Sequence, residues 1–267
     1  MRRSGPTERS TAPLLAARFL RKLGAPRRAT RCQKGVTGDR CGACGYALHV
    51  DSRRLKVICP TEHEAHLLRR HLGRARLSIS CCGPGPAAIE RWLGTQRCAG
   101  CTVILAGVAG GLDPSLRAGS AATADRVIDL AGGCWRPDRT ARPGHVGLTI
   151  LSVQQVLLRV EEKAALFQRT GAHLADLESA AFARSAERAA LSWSVVRGIS
   201  DEATLELPGE IGAWVAPDGS VRAARAALWA VRAPSQLLGR YRLLRRLSIG
   251  ADEAMCGVAR RIREVHT

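Results

Sequence analysis

A continuous apolar run that leads into glycines constrains the fold of this 267-residue chain most strongly. Residues 102–106 read Thr-Val-Ile-Leu-Ala, without the polar alternation of a half-exposed strand. A strand covered on both faces is apolar throughout, so we predict a buried strand here. The following glycine-rich segment, Gly107–Leu112, is either a tight strand-to-helix turn or a place where a ligand approaches the backbone. Its spacing is not that of a dinucleotide fingerprint or a P-loop.

Short apolar segments alternate with helical patterns from residue 55 onward. At the first of these helices, Thr61 and Glu64 have the spacing of a capping box. We predict strands over 55–60, 77–82, 146–156 and 191–199, and helices over 87–93, 161–170, 177–188, 223–232 and 234–247. This alternation indicates an α/β fold.

Charge divides the chain into a basic extension and one domain. The net charge is +18, of which residues 1–54 contribute +10 and residues 217–267 contribute +6. We predict a disordered extension over 1–54 and a single domain over 55–267 whose C-terminus is basic and helical from about residue 220. The middle is close to neutral, and no aromatic residues are interleaved in the basic ends as in single-strand binders, so we do not expect nucleic-acid binding.

The extension holds one weak candidate for a metal site. Cys41 and Cys44 have the spacing of a zinc-ligand pair, and Cys32 and His49 would complete four ligands. Structural zinc sites usually show two close pairs, and this segment has one. We therefore expect no metal.

Two acids, Glu178 and Asp201, stand at the ends of two separate predicted elements. Glu178 opens a helix of small residues, and Asp201 ends an apolar strand. Each has an ordinary explanation, since an acid favours a helix N-terminus and an aspartate often caps a helix. As a pair they also suit a site that holds a sugar hydroxyl with one carboxylate and protonates a leaving base with the other.

Four segments in order resemble the nucleoside phosphorylase and nucleosidase superfamily, which includes methylthioadenosine nucleosidase. They are residues 59–68, 106–116, 176–181 and 197–201. The resemblance implies a three-layer αβα fold with a mixed central sheet and a helical C-terminal region. It also implies a cytoplasmic homo-oligomer that cleaves the N-glycosidic bond of a purine nucleoside without a cofactor.

The resemblance also implies roles for individual residues. Asp201 matches the acid that protonates the leaving base, with Ser200 orienting it. Glu178 matches the carboxylate that binds ribose hydroxyls, and Glu64 matches the acid that activates the attacking water. The remaining positions that match substrate contacts are Leu177, Val108, Ala109, Gly110 and Ile199.

Water and phosphate are both candidate nucleophiles. Phosphorolytic relatives often carry an Arg and a Ser near the glycine segment, where this chain has Leu105 and Val108. Neither side chain binds an anion, and Glu64 would repel phosphate, so we expect hydrolysis. A phosphate-dependent purine nucleoside phosphorylase, with inorganic phosphate as co-substrate, is the alternative.

The substrate is less constrained than the reaction. Residues 207–208, 214–219 and 232–238 resemble the hopanoid-associated branch, which implies adenosylhopane as substrate. A methylthioadenosine- or futalosine-type nucleosidase is the alternative in the same class, and a non-catalytic lipid- or nucleic-acid-binding relative is the alternative outside it.

The basic C-terminal segment has two interpretations. Leucines and arginines alternate over residues 237–249. They form either an amphipathic helix at the inner membrane face or a helix that covers the core with its arginine stems along the surface.

Overall fold

The computed structural model describes residues 55–73, 75, 77–95, 100–137 and 148–266. The eight strands are β1 (Leu55–Cys59), β2 (Ser78–Cys81), β3 (Thr102–Gly111), β4 (Ala121–Asp129), β5 (Cys134–Trp135), β6 (Leu148–Ser152), β7 (Leu174–Asp176) and β8 (Ser192–Asp201). The α-helices are α1 (Glu62–Leu72), α2 (Pro86–Thr95), α3 (Val160–Thr170), α4 (Ser179–Arg188), α5 (Ala223–Val231) and α6 (Leu237–His266). Short 3-10 helices cover Ile211–Trp214 and Pro234–Gln236.

The strands form one mixed sheet, part of which closes on itself. β1 pairs in parallel with β2 and β3. β3 then pairs with β8, β8 with β4, β4 with β6, β6 with β7, and β7 again with β3. These five strands make a closed ring, and β3 and β8 run in parallel at its centre with their C-terminal ends together.

Helices cover both faces of the sheet, which gives the predicted three layers. One apolar cluster joins β3 and β8 to α2 and α4, with Ile89, Phe182 and Trp193 at its centre. The other joins β1 and β3 to α1 and α6, with Leu68 and Val258 among its members. Because β3 is covered from both sides, its first five residues are buried, as their continuous apolar sequence predicts.

The predicted glycine turn is wrong. Gly107 to Gly111 continue β3 as its second half. No glycine among these positions has a positive φ, so the segment is extended chain. The glycines are required by close contacts with charged side chains, which are described below. Three further strands, β4, β5 and β7, were not predicted from the sequence.

The C-terminal helix α6 is longer than predicted and has two different halves. Its second half packs into the core through Ala254, Met255 and Val258, which are fully buried. In its first half, Leu244 packs with Trp214 and Ala230 of the preceding helices. Residues 237–249, to which the two interpretations apply, form the first half, and there only part of the apolar side chains covers the core: Leu244 is buried, whereas Leu237 and Leu238 are exposed. Across the part of the chain described here, no helix is long and apolar enough to cross a membrane.

Candidate active site

A cavity of about 680 Å³ lies at the C-terminal ends of the parallel strands. Its walls come from the start of α1, the glycine half of β3, and the ends of β7 and β8. Four buried carboxylates line it: the three predicted acids Glu64, Glu178 and Asp201, which come from separate elements, and Asp176. Ligands of open α/β sheets bind at this edge.

Glu64 is fixed in place by the capping box of α1. Thr61 donates through its backbone nitrogen and its Oγ1 to Oε2 of Glu64, at 2.9 and 2.7 Å. The amide of Val108 donates to the other oxygen, Oε1, at 2.8 Å. The helix start thus aims a carboxylate at the middle of β3, so its orientation is set before any substrate binds.

Arg197 is completely buried in β8 and binds two carboxylates. Its Nη2 lies 2.5 Å from Oδ2 of Asp176 and 3.5 Å from Oε2 of Glu178. Its Nε also donates to Asp176, at 2.8 Å. Its Nη1 has no hydrogen-bond partner within the described part of the chain. This guanidinium therefore holds Asp176 and Glu178 in place.

Glu178 lies at the N-terminal boundary of α4, but its side chain does not cap the helix. Its Oε1 accepts a hydrogen bond from the amide of Gly85 at 2.9 Å. Burial raises the pKa of Glu178 to about 7, while Arg197 lowers that pKa and Asp176 raises it. Desolvation therefore outweighs the attraction of the buried cation.

Asp201 accepts hydrogen bonds on both of its oxygens. Lys163 of α3 donates from Nζ to Oδ2 at 2.6 Å, and Ser200 donates from Oγ to Oδ1 at 2.7 Å. The side chains of Lys163 and Asp201 are 2% and 7% exposed. Asp201 ends a strand rather than opening a helix, so it is not a helix cap. It is one half of a buried ion pair that faces the cavity.

The glycines of β3 make room for these charges. A Cβ at Gly107 would lie 2.5 Å from both Nη1 of Arg197 and Oε1 of Glu64. A Cβ at Gly110 would lie 3.3 Å from Oδ2 of Asp201. Any larger residue would displace the acids or the arginine, so the strand needs glycine for contact and not for turning.

The part of the cavity away from the acids is apolar. Val156 and Leu157 line it ahead of α3, and Ile211 and Val215 line it at the 3-10 helix Ile211–Trp214. Leu207 also lines the cavity, and Arg222 and Arg225 add two charged side chains at the start of α5. The site thus joins a charged end to an apolar end.

The structure brings most of the predicted site residues together. Glu64, Glu178, Asp201, Ser200, Leu177, Val108, Ala109 and Gly110 line the one cavity. Ile199 does not, because neighbouring side chains of a strand face opposite sides and Ile199 packs in the core beside α2 and α4. The candidate zinc ligands Cys32, Cys41, Cys44 and His49 lie outside the described residues. Within those residues, no group of His, Cys, Asp or Glu side chains has a metal-site arrangement.

Three charged residues of the site carry no role in the sequence analysis. Arg197 interrupts the apolar run of β8, and a charge in a buried strand needs a buried partner, so its position could have indicated it. Asp176 stands two residues before Glu178, and it could have been recognised as the buried partner of Arg197. Lys163 gives no such signal, because a lysine in a polar helix looks like an ordinary surface residue.

The fold is shared with solved structures of a futalosine hydrolase and of methylthioadenosine nucleosidases. The futalosine hydrolase of Helicobacter pylori matches with a TM-score of 0.55 and 13% identity, covering 79% of this chain and 96% of that one. A 5'-methylthioadenosine/S-adenosylhomocysteine nucleosidase from Helicobacter pylori matches at 0.52 and 14%, covering 79% and 97%. The 5'-methylthioadenosine nucleosidase of Arabidopsis thaliana matches at 0.52 and 13%, covering 79% and 95%. No protein-family model and no curated protein matches the chain.

Proposed function

We propose that the protein hydrolyses the N-glycosidic bond of an adenosine-type purine nucleoside. The observation that carries this proposal is the convergence of Glu64, Glu178 and Asp201 on one cavity in this fold. Structures with the same fold bear the names of nucleosidases and of a futalosine hydrolase. The apolar side chains that line the rest of the cavity cannot donate or accept a proton in such a reaction.

Each carboxylate has a place in that reaction. Asp201 delivers a proton to the leaving base, which otherwise departs with its negative charge uncompensated. Glu178 accepts hydrogen bonds from the sugar hydroxyls while positive charge develops on the ring. Glu64 accepts the proton of the attacking water, and the available Nη1 of Arg197 lies beside it at Gly107.

Charge at the nucleophile end favours water over phosphate. Asp176, Glu178 and Glu64 surround a single guanidinium, that of Arg197, which already binds two of them. A phosphate dianion placed there would meet an excess of carboxylates. Inorganic phosphate is therefore not a co-substrate in this proposal.

Base release from 5'-alkylthioadenosines, with and without phosphate, tests the reaction. We expect release without phosphate, and D201N should lower kcat by about 10²–10⁴-fold, the usual contribution of a general acid. E90Q is the matched control, since Glu90 pairs with Arg184 on the surface of α2 and should leave kcat unchanged. A strict requirement for phosphate would exclude hydrolysis. Absence of release under both conditions would favour a non-catalytic binding protein.

The apolar wall supports a substrate with a bulky apolar 5' substituent, and adenosylhopane is our specific candidate. Burying a methylene group contributes about 0.8 kcal/mol. We therefore expect kcat/KM to rise about three- to fourfold for each methylene added in a series of 5'-alkylthioadenosines, until the cavity is full. A preference for the 5'-methylthio compound would instead indicate a methylthioadenosine-type nucleosidase. Preference for a polar 5' group would indicate a futalosine-type enzyme.

The surface around residues 221–250 supports a location at a membrane face. This segment holds seven arginines and no acidic residue. Leu228, Leu237 and Leu238 are exposed within it. Exposed leucines among arginines suit an anionic lipid surface, so we propose a cytoplasmic protein held at the inner membrane face. We also propose that it is a homo-oligomer, which light scattering of the purified protein tests.

A further inference from the structure

The lysine at the acid end of the cavity is unusual for its helix. Lys163 is the one buried residue of α3, and it is 1% exposed. Its ammonium donates to Asp201 at 2.6 Å and to the carbonyl oxygens of Glu202 and Leu205 at 3.2 and 3.0 Å. All three of its hydrogens are used. The group is therefore held rigidly, with its charge directed at one carboxylate.

Stability alone does not explain this ion pair. Burying two charges has a large desolvation free energy that burying an apolar pair of the same size does not have. Replacing a buried ion pair by apolar residues is therefore often neutral or stabilising. Lys163 is the one buried residue of α3, and the packing of the helix does not require that this residue carry a charge. A charge maintained at the wall of a cavity at this cost points to a role in the site.

The hydrogen bonds of Asp201 define what that role is. Its Oδ2 accepts from the Lys163 ammonium at 2.6 Å, and this contact makes Asp201 the ionised half of an ion pair. Its Oδ1 lies 2.7 Å from the Ser200 hydroxyl, whose single hydrogen is also within reach of the carbonyl oxygen of Ala109 at 3.2 Å. An ionised carboxylate has no proton to give to a leaving base. The nearest proton is on the Lys163 ammonium.

We propose that Lys163 is a positioning residue that also transfers to Asp201 the proton that the leaving base receives. This inference rests on the proposed function. The N–H bond of Lys163 breaks as an O–H bond forms on Asp201, which turns an ion pair into a neutral pair without any change in net charge. Asp201 then passes that proton to the ring nitrogen of the purine as the glycosidic bond breaks and its electrons move to the base. After base release, Glu64 loses to solvent the proton that it took from the attacking water, and the neutral amine of Lys163 takes up one proton from solvent, so both groups return to their starting states.

Two ribosides with the same 5' alkylthio group test this assignment. One carries adenine, which leaves as a protonated base, and the other carries 4-nitrophenolate, which leaves as a stable anion. K163M should lower kcat for the adenine compound about 10²–10⁴-fold and for the nitrophenyl compound by less than about tenfold. R169M, an exposed position on the same helix, should change neither rate.

The arginine variant separates proton supply from charge alone. K163R retains a cation, but a guanidinium does not give up its proton in proteins. We expect K163R to lose cleavage of the adenine compound as K163M does. Recovery of wild-type cleavage in K163R would overturn the proposal, since charge without a mobile proton would then suffice.

A double variant covers the case in which K163M does not fold, because K163M leaves Asp201 buried without its partner. K163M/D201N removes both charges together. If Lys163 acts through Asp201, the double variant should cleave the adenine compound at the same rate as D201N. Additive losses would overturn the proposal, as would equal losses on both substrates in folded K163M. A wild type that cleaves neither riboside would instead exclude the proposed function itself.

Discussion

At the scale of the residue, Glu178 shows how the site costs stability. Its carboxyl group is 6% exposed and lies beside a second carboxylate, that of Asp176. Burial is the largest cause of its raised pKa, and Arg197 only partly offsets it. The folded protein therefore holds a proton on Glu178 at a pH where the unfolded chain has released it.

This difference predicts a pH-dependent stability. The pKa of Glu178 is about 7 in the folded protein against an ordinary value of 4.5. Between these values the folded state binds the extra proton, so its stability falls as pH rises, by on the order of 3 kcal/mol from this group. E178Q cannot titrate, so its free energy of unfolding should fall less between pH 5 and pH 8. Urea denaturation at both pH values measures the difference.

The surface variant E90Q is again the control and should follow the wild type at both pH values. If E178Q shows the same loss of stability between pH 5 and pH 8 as the wild type, Glu178 does not carry the buried proton.

Single residues also show where sequence-based prediction stops. Glu64, Glu178 and Asp201 stand in motifs whose local spacing can be recognised, and Glu64 also carries the capping box. Lys163 reaches Asp201 across 38 positions of the chain, and only the packing of α3 against the end of β8 brings the two together. No local pattern encodes such a contact.

At the scale of the element, α6 approaches the sheet through small residues. A Cβ at Gly250 would lie 2.7 Å from the backbone oxygen of Ser200, and one at Gly257 would lie 2.8 Å from Cβ of Ala121. From the sheet side, a Cβ at Gly198 would lie 2.6 Å from the backbone oxygen of Ala254. The helix therefore supports the acid-bearing end of β8 from behind, at backbone distance.

Two alanine substitutions in this helix should have opposite effects. G250A introduces a methyl group against a backbone oxygen that cannot move away, so it should destabilise the protein by about 1–3 kcal/mol. At Gly239 a Cβ meets nothing within 4 Å, so G239A should stabilise by up to about 1 kcal/mol through helix propensity. Thermal unfolding of both variants measures this. Equal effects of the two would mean that α6 is not closely packed on β8.

The elements also differ in how far the sequence predicts them. Strands that are mostly apolar, such as β1 and the first half of β3, were predicted within a few residues. β4 was missed because most of its residues are only half-buried, so it lacks a continuous apolar run. The glycines of β3 resemble a turn in sequence. They are needed because the side chains of Glu64, Arg197 and Asp201, which belong to other elements, occupy the space that a Cβ would fill.

At the scale of the whole molecule, most of the basic side chains of residues 221–250 lie apart from the acids of the cavity. Arg242 and Arg245 of α6 belong to an exposed basic surface, while the buried acids line the cavity together with Arg222 and Arg225. Residues 1–54 carry a net +10, so they are not a complementary partner for that surface. An anionic lipid surface is complementary to it.

Charge reversal tests this surface. Arg242 and Arg245 are exposed on α6. R242E/R245E should lose most of its flotation with vesicles rich in phosphatidylglycerol, because each basic residue near such a surface contributes about 1 kcal/mol. R91E/R188E makes the same change of net charge on α2 and α4, and should retain flotation. Equal losses in both variants would indicate a general effect of net charge, and no flotation of the wild type at low salt would exclude the lipid surface.

The closed ring of five strands determines which part of the cavity wall can vary among related proteins. β3 and β8 are joined along almost their whole length, and each is also bonded to a further strand of the ring, so the cavity-lining residues at their ends cannot be separated without opening the ring. The apolar wall at residues 211–217 is outside the ring. This wall can therefore change in sequence without disturbing the strands that hold the buried acids, and under the proposed function relatives with other substrates should differ at residues 211–217 while sharing the ring.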